Sequence, residues 1–451
     1  MCAKKAVKKA TKKATKRKVI LENEDDIGSL SSGKGIDFNA LFGKAVEKVA
    51  KKADKDIGAY DGVAKSALVG VPFGNFALEV CFSETVLGLG RIICFDGMPA
   101  SCKSSLLFEM CRIVDNANGA SCVVDTEQKA TENLGQGIVG YDNWHKIKFV
   151  SPGDFDEALK IVTGMIQLFQ KAAKTHGKCV PLLIGVDSTN GAVSASEMEK
   201  MTSDGTASRS FDDIARISTK YLKFVTSVLS HLPIVLIGIR HERMVDNGYG
   251  IKIPEPKGAG AWGFHAYNTF HLARVGDRDL ERAGGRDLMI HLKKGTDPGI
   301  KVPVTMWWQE EFLDCGESRR HFWFDWSLAT FNILTCSGGS KVPKRFTSSM
   351  KDVLGAMTAS GGKVVCKPLG LTTPAPPEEL HNALYSPDNK KILDTLRGIY
   401  CVRVGQEFKC GDNFDDMKSK QRALILSRRS TDKVACIENA AEINDENTEV
   451  T

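Results

Sequence analysis

The sequence predicts an α/β fold with a mainly parallel central sheet, flanked by a small N-terminal helical element and a small C-terminal domain, α/β or helical. Three observations predict it. From about Gly70 to Phe324 short apolar runs alternate with helix-like segments; one run leads through a glycine-bearing loop into a helical stretch; two further runs end in carboxylates. Such alternation is the pattern of parallel strands joined by crossover helices.

In chain order, residues 1–35 read as a basic tail and linker. Lys4, Lys5, Lys8, Lys9, Lys12, Lys13, Lys16, Arg17 and Lys18 stand in a repeating Lys-Lys-Ala pattern without an acid, and setting these nine cations aside turns the net charge from +6 to −3. With no apolar face to bury, the tail is expected to be disordered in isolation. Counter-ion release makes phosphate backbones its natural partner; a solubilising arm and a localisation signal are the other readings. Glu22, Glu24, Asp25 and Asp26, then the linker over 31–35, close this region. Residues 36–69 are expected to form an N-terminal packing and oligomerisation element, in which Phe38 to Lys55 reads as an amphipathic helix.

The core spans 70–335. Its strand-like runs are Arg91 to Phe95, Ser121 to Val124, Ile147 to Val150, Pro181 to Val186, Pro233 to Ile239, Thr269 to Leu272 and Asp287 to Leu292. Residues 336–344, CSGGSKVPK, read as a linker, and 345–436 as a C-terminal domain with helices near 389–399 and 414–429. Residues 437–451 carry Glu438, Glu442, Asp445, Glu446 and Glu449, an acidic tail that either competes with nucleic acid for a basic surface or keeps the chain soluble.

Composition narrows the class. With 42% apolar and 26% charged residues in 451, the chain resembles an ordinary soluble protein. It has no apolar run of bilayer-spanning length and no signal-peptide core, so no membrane partner and a cytoplasmic setting are expected. The 13 cysteines include no Cys-x-x-Cys pair, against a disulfide framework or structural zinc.

Gly97 to Ser105, GMPASCKSS, is a phosphate-binding P-loop with one departure: Cys102 stands at the second glycine position, while Gly97, Lys103 and Ser104 fit. The apolar run Arg91 to Phe95 precedes it, and Ser105 to Val114 follows with helical apolar spacing. In this pattern the segment Gly97, Met98, Pro99, Ala100, Ser101, Cys102, Lys103, Ser104 and Ser105 wraps phosphates with backbone N–H groups, Lys103 reaches the outer phosphates and the Ser104 hydroxyl ligates Mg²⁺. A side chain at 102 is tolerable if the local φ is negative. Beside a lysine and a helix N-terminus, the Cys102 thiol is expected to be more acidic than a free one.

Pro181 to Ser188 is an apolar strand ending in Asp187, suited to organising Mg²⁺ and its water. Between it and the loop, Ser121 to Glu127 ends in Asp125 and Glu127, and a glutamate there can orient or deprotonate the water attacking a γ-phosphate.

In order and spacing these pieces resemble the RecA recombinase family. The likeness rests on Gly88-Leu-Gly-Arg-Ile-Ile93, the P-loop, Val124-Asp-Thr-Glu-Gln128 and Gly185-Val-Asp-Ser188, and runs from roughly Leu68 to Trp308. It implies a DNA-dependent ATPase using ATP and Mg²⁺, which forms a helical homo-oligomeric filament on single-stranded DNA and exchanges strands with duplex DNA. Mediator or single-strand-binding proteins are further implied partners.

Carried over by position, the resemblance gives Glu127 the catalytic glutamate's role and Asp187 that of the second carboxylate near Mg²⁺. His241 falls where the bacterial pattern has a glutamine that senses the γ-phosphate; Arg240-His241 in place of Asn-Gln is a departure. Lys293 and Lys294 match lysines that reach a neighbouring subunit's ATP. Two loops are expected to face DNA: 194–213, with Lys200 and Arg209 and with Arg216 opening the next helix, and the long irregular insert 242–263, with Arg243, Lys252, Lys257 and the aromatics Tyr249 and Trp262. Trp262 has packing in the interior as its other reading. Cys102, Arg240-His241 and the basic arm suggest a divergent, phage-type branch. A hexameric helicase on the same core fold, and a DNA-coating or regulatory protein that has lost turnover, are the alternatives.

Overall fold

A computed structural model describes residues 69–413, apart from 129–131, 177–178, 190–193, 195–197, 200–210, 247, 257–259, 280–282, 316–317, 338–344, 356, 361 and 401. The expected tail, amphipathic helix 38–55, helix 414–429 and acidic tail, together with Lys200, Arg209 and Lys257, lie outside the described residues.

The chain enters through β1 (Val69–Pro72), α1 (Phe76–Phe82) and β2 (Val86–Gly88). Asn75 caps α1, its side-chain oxygen accepting from the N–H groups of Ala77 and Leu78. Then come β3 (Arg91–Gly97), α2 (Lys103–Asn116), β4 (Ala120–Asp125), α3 (Glu132–Val139), β5 (Ile147–Val150), α4 (Phe155–His176), β6 (Leu182–Asp187), α5 (Phe211–Leu229) and β7 (Ile234–Asp246). After β8 (Lys252–Pro256) and α6 (Gly260–His265), four strands follow in sequence: β9 (Asn268–Asp279), β10 (Ala283–Lys294), β11 (Lys301–Phe312) and β12 (Ser318–Phe324).

These strands form one ten-stranded sheet in the order β12-β11-β10-β9-β3-β7-β6-β4-β5, with β8 on β7. The run β9-β3-β7-β6-β4-β5 is parallel, whereas β10, β11, β12 and β8 pair antiparallel. The sheet is therefore mixed. Helices cross over between the parallel strands, while β9 to β12 follow one another through short connections that only antiparallel neighbours permit.

Parallel strands covered on both faces bury both sets of alternating side chains. Ile93 and Phe95 of β3 enter one hydrophobic cluster, with Val235, Ile237 and Ile239 of β7. Ile92 and Cys94 enter the other, with Ile234 and Leu236. This double burial is why the strands read as continuous apolar runs.

The chain continues through α7 (Trp326–Thr335), α8 (Arg345–Leu354), β13 (Thr358–Ser360), β14 (Lys363–Cys366), β15 (Leu371–Ala375), α9 (Pro377–Leu384), α10 (Lys390–Ile399) and β16 (Gln406–Glu407). Met350, Leu354, Val364, Leu380, Leu393 and Tyr400 share the first cluster with Phe76 and Phe331, and β16 pairs with β1. Buried Glu79 on α1 ties this segment down, accepting from Arg397 Nε at 2.7 Å and Tyr385 Oη at 2.8 Å. No helix among the described residues is long and apolar enough to cross a membrane.

Candidate functional site at the ends of β3, β4, β6 and β7

Gly97 ends β3 under close constraint. A Cβ there would lie 2.5 Å from both the Leu272 carbonyl oxygen and Ser101 Oγ, so any larger residue would displace the loop. Lys103 opens α2 with its side chain turned back into the loop: Nζ donates to the carbonyls of Gly97 at 3.0 Å and Met98 at 2.8 Å, and to Ser101 Oγ at 3.3 Å. Burial lowers the pKa of this ammonium, and the nearby Asp187 acts against that shift.

The β4–β6 register sets Asp125 beside Asp187. Asp187 Oδ2 accepts a 2.6 Å hydrogen bond from Ser104 Oγ. Burial, reinforced by the negative charges of Glu127 and Asp125, pushes the Asp187 carboxyl up to about 6 against the Ser104 bond and Lys103. Ser104 and Asp187 form an all-oxygen donor pair, which fits Mg²⁺, a hard cation commonly held by one or two protein ligands plus substrate phosphates and water. Glu127 Oε1 accepts from Ser188 Oγ at 2.6 Å and lies 2.7 Å from His241 Nε2. His241 stands opposite Gly97 in the β3–β7 register.

Arg240 does different work from its neighbour. Its guanidinium forks onto Asp96, Nε to Oδ1 at 2.7 Å and Nη2 to Oδ2 at 2.5 Å, with both side chains buried. Burial pushes the Asp96 carboxyl up, and Arg240 acts against it.

Around these groups lies a cleft of about 470 Å³, lined by Ala100 to Ser105, Leu134, His241, Arg286, Met306, Trp308, Arg320 and Phe322. That volume suits a small-molecule ligand. Arg286, Met306, Trp308, Arg320 and Phe322 belong to no motif of the sequence. They come from β10, β11 and β12, where Trp308 pairs across the strands with Phe322. The sequence marks them only by the aromatic pair Trp307-Trp308 and the basic run Arg319-Arg320-His321 that leads into Phe322.

Two expectations for Cys102 are corrected. Its φ is +59°, and Ala100 shares the left-handed region at +61°, so the loop keeps the backbone that favours glycine. A non-glycine residue there costs roughly 1–2 kcal/mol. The thiol is less acidic than a free one: burial pushes its pKa up and outweighs Arg286, Ser105 and Lys103.

The insert 242–263 is also more regular than expected. β7 continues to Asp246 and pairs antiparallel with β8, from Glu242 opposite Pro256 to Asp246 opposite Lys252. Arg243, Tyr249 and Lys252 are exposed on this hairpin, Tyr249 to 87%. Trp262 is not: it is fully buried, and Gly238 makes room for it, since a Cβ on Gly238 would lie 2.7 Å from the indole. Trp262 is thus a core residue, its indole claimed by the helix–sheet interface. Arg216 is exposed but lies inside α5, which begins at Phe211. Lys293 Nζ is 3.7 Å from Glu242 Oε1, and Lys294 Nζ donates to the carbonyls of Gly263 at 3.0 Å and Phe264 at 2.6 Å.

No protein-family model matches this sequence, and no curated protein matches it.

Proposed function

We propose that the cleft binds ATP with Mg²⁺ and hydrolyses it, and that the chain is a RecA-like recombinase coupling this turnover to filament growth and strand exchange on DNA. The observation that carries the reading is that Lys103, Ser104 and His241 line one cleft beside the ends of adjacent parallel strands, with Asp187 hydrogen-bonded to Ser104 and Glu127 held against His241 behind them. Ligand sites of open α/β sheets lie at the carboxyl ends of the strands, as here.

On this reading Lys103 exchanges its loop carbonyls for phosphate oxygens. Ser104 and Asp187 would hold Mg²⁺, which offsets phosphate charge when bound. Glu127, kept in place by Ser188 and His241, takes the proton of the attacking water, and His241 reports the γ-phosphate to the β7–β8 hairpin that follows it. Leu134, Trp308 and Phe322 offer an apolar wall for the base. Arg243 and Lys252 beside Tyr249 suit sequence-tolerant contact with a single strand. Lys293 and Lys294 act on a neighbouring copy's ATP, and Arg216 contacts DNA.

The test is ATPase of the full chain against Lys103→Ala and Glu127→Gln, with and without single-stranded DNA. DNA is expected to stimulate hydrolysis and both substitutions to abolish it. Equal rates in all three proteins would overturn the mechanism.

A further inference from the structure

The loop lacks a glycine where its backbone still has the left-handed geometry, at Cys102, and carries a second such residue at Ala100. Conformations of this kind persist only when neighbouring groups over-determine them. Here the neighbour is Arg286 of β10, 186 positions from Ala100, whose Nη1 donates to the Ala100 carbonyl at 3.0 Å. The same guanidinium interacts with the Cys102 thiol. Its Nε donates at 3.1 Å to Oδ1 of Asp277, which stands opposite it on β9 and is also gripped by Arg274. One rigid strand pair thus presents a fixed cation to both left-handed residues, and that cation lines the cleft.

We propose that Arg286 is a positioning residue of the phosphate site. It holds the Ala100–Cys102 turn in the shape a glycine would adopt unaided, and it sets a permanent positive charge beside the polyphosphate. Asp277 orients it. A guanidinium suits both tasks, because its planar donors stay charged and fix direction in a way an ammonium does not. This inference rests on the nucleotide-binding reading above.

The experiment titrates a fluorescent ATP analogue with Mg²⁺ into the full chain and follows thermal unfolding in parallel. Arg286→Ala is expected to weaken binding ten- to fifty-fold with little change in Tm. Arg286→Lys, which keeps the charge without the fork, should fall between. Cys102→Gly is expected to bind a few-fold more tightly than the natural chain and, combined with Arg286→Ala, to restore the part of the loss that comes from the turn, leaving the part that comes from the missing charge. Asp277→Asn, which leaves the loop untouched, should cost about three-fold, also reversed by Cys102→Gly. Binding unchanged in Arg286→Ala, or a loss that Cys102→Gly does not reduce, would overturn the inference. Absence of binding by the natural chain would overturn the nucleotide reading instead.

Discussion

Ser104 Oγ donates a 2.6 Å hydrogen bond to Asp187 Oδ2, joining the first turn of α2 to the end of β6 across 83 positions of sequence. Replacing Asp187 by Asn keeps the shape and removes the charge that would hold the cation. Mg²⁺-dependent ATPase is expected to fall at least 100-fold, while nucleotide binding measured in EDTA changes much less. Equal losses with and without the metal would remove Asp187 from the cation's shell.

On the proposed reading, substitutions at Glu127 and His241 should separate binding from turnover. Glu127→Gln is expected to keep nucleotide affinity within a few-fold and to lower kcat by about 10²- to 10³-fold, the scale of a lost general base. His241→Gln, which can still donate a hydrogen bond, should retain more DNA-stimulated rate than His241→Ala. Steady-state rates and equilibrium titrations on the same preparations check both.

The Asp96–Arg240 fork is a stability element. Removing one partner leaves a buried charge unpaired, so Asp96→Asn or Arg240→Met is expected to cost about 3–5 kcal/mol in urea unfolding. Replacing both by apolar residues should cost less than either single change.

Glu242 gives the pH dependence. Burial alone would raise its carboxyl, but His271, with Nδ1 3.0 Å from Oε1, and Lys293 outweigh burial and hold it below its ordinary value. A depressed folded pKa supplies stability above the unfolded value of about 4.3, lost as pH falls through the lower folded value. Glu242→Gln is therefore expected to destabilise the protein by about 2 kcal/mol at pH 7. The gap to the natural chain should close as pH drops below about 4, read by denaturant titration across pH.

The β7–β8 hairpin and Trp262 part company under substitution. Arg243→Ala and Lys252→Ala should each weaken binding to oligo-dT and lower the salt slope by about 0.7 for each phosphate that is no longer neutralised. Trp262→Ala should instead cost about 3–5 kcal/mol of folding stability, the penalty for emptying a buried aromatic site.

The sequence alone carried the parallel half of the sheet, because strands buried on both faces must be apolar throughout. The apolar run Ile147 to Val150 coincides with β5, and Ser121 to Val124 falls one residue short of β4 at each end. It also carried Lys103, Ser104, Glu127 and Asp187 as an ordered set, since a P-loop and strand-end carboxylates are local patterns. Only the tertiary structure decided what surrounds them. Pairing of β9 with β3, together with the register of β9 to β12, brought Arg286, Trp308 and Phe322 to the loop, and pairing between strands as distant in sequence as β3 and β9 leaves no trace in local spacing. Helix–sheet packing took Trp262 into the interior, and antiparallel pairing of β7 with β8 made the expected loop a hairpin. Cys102 keeps a left-handed φ against its own preference, in a turn whose Ala100 carbonyl accepts from Arg286, because a side chain's local cost is overridden when enough contacts hold the backbone in place.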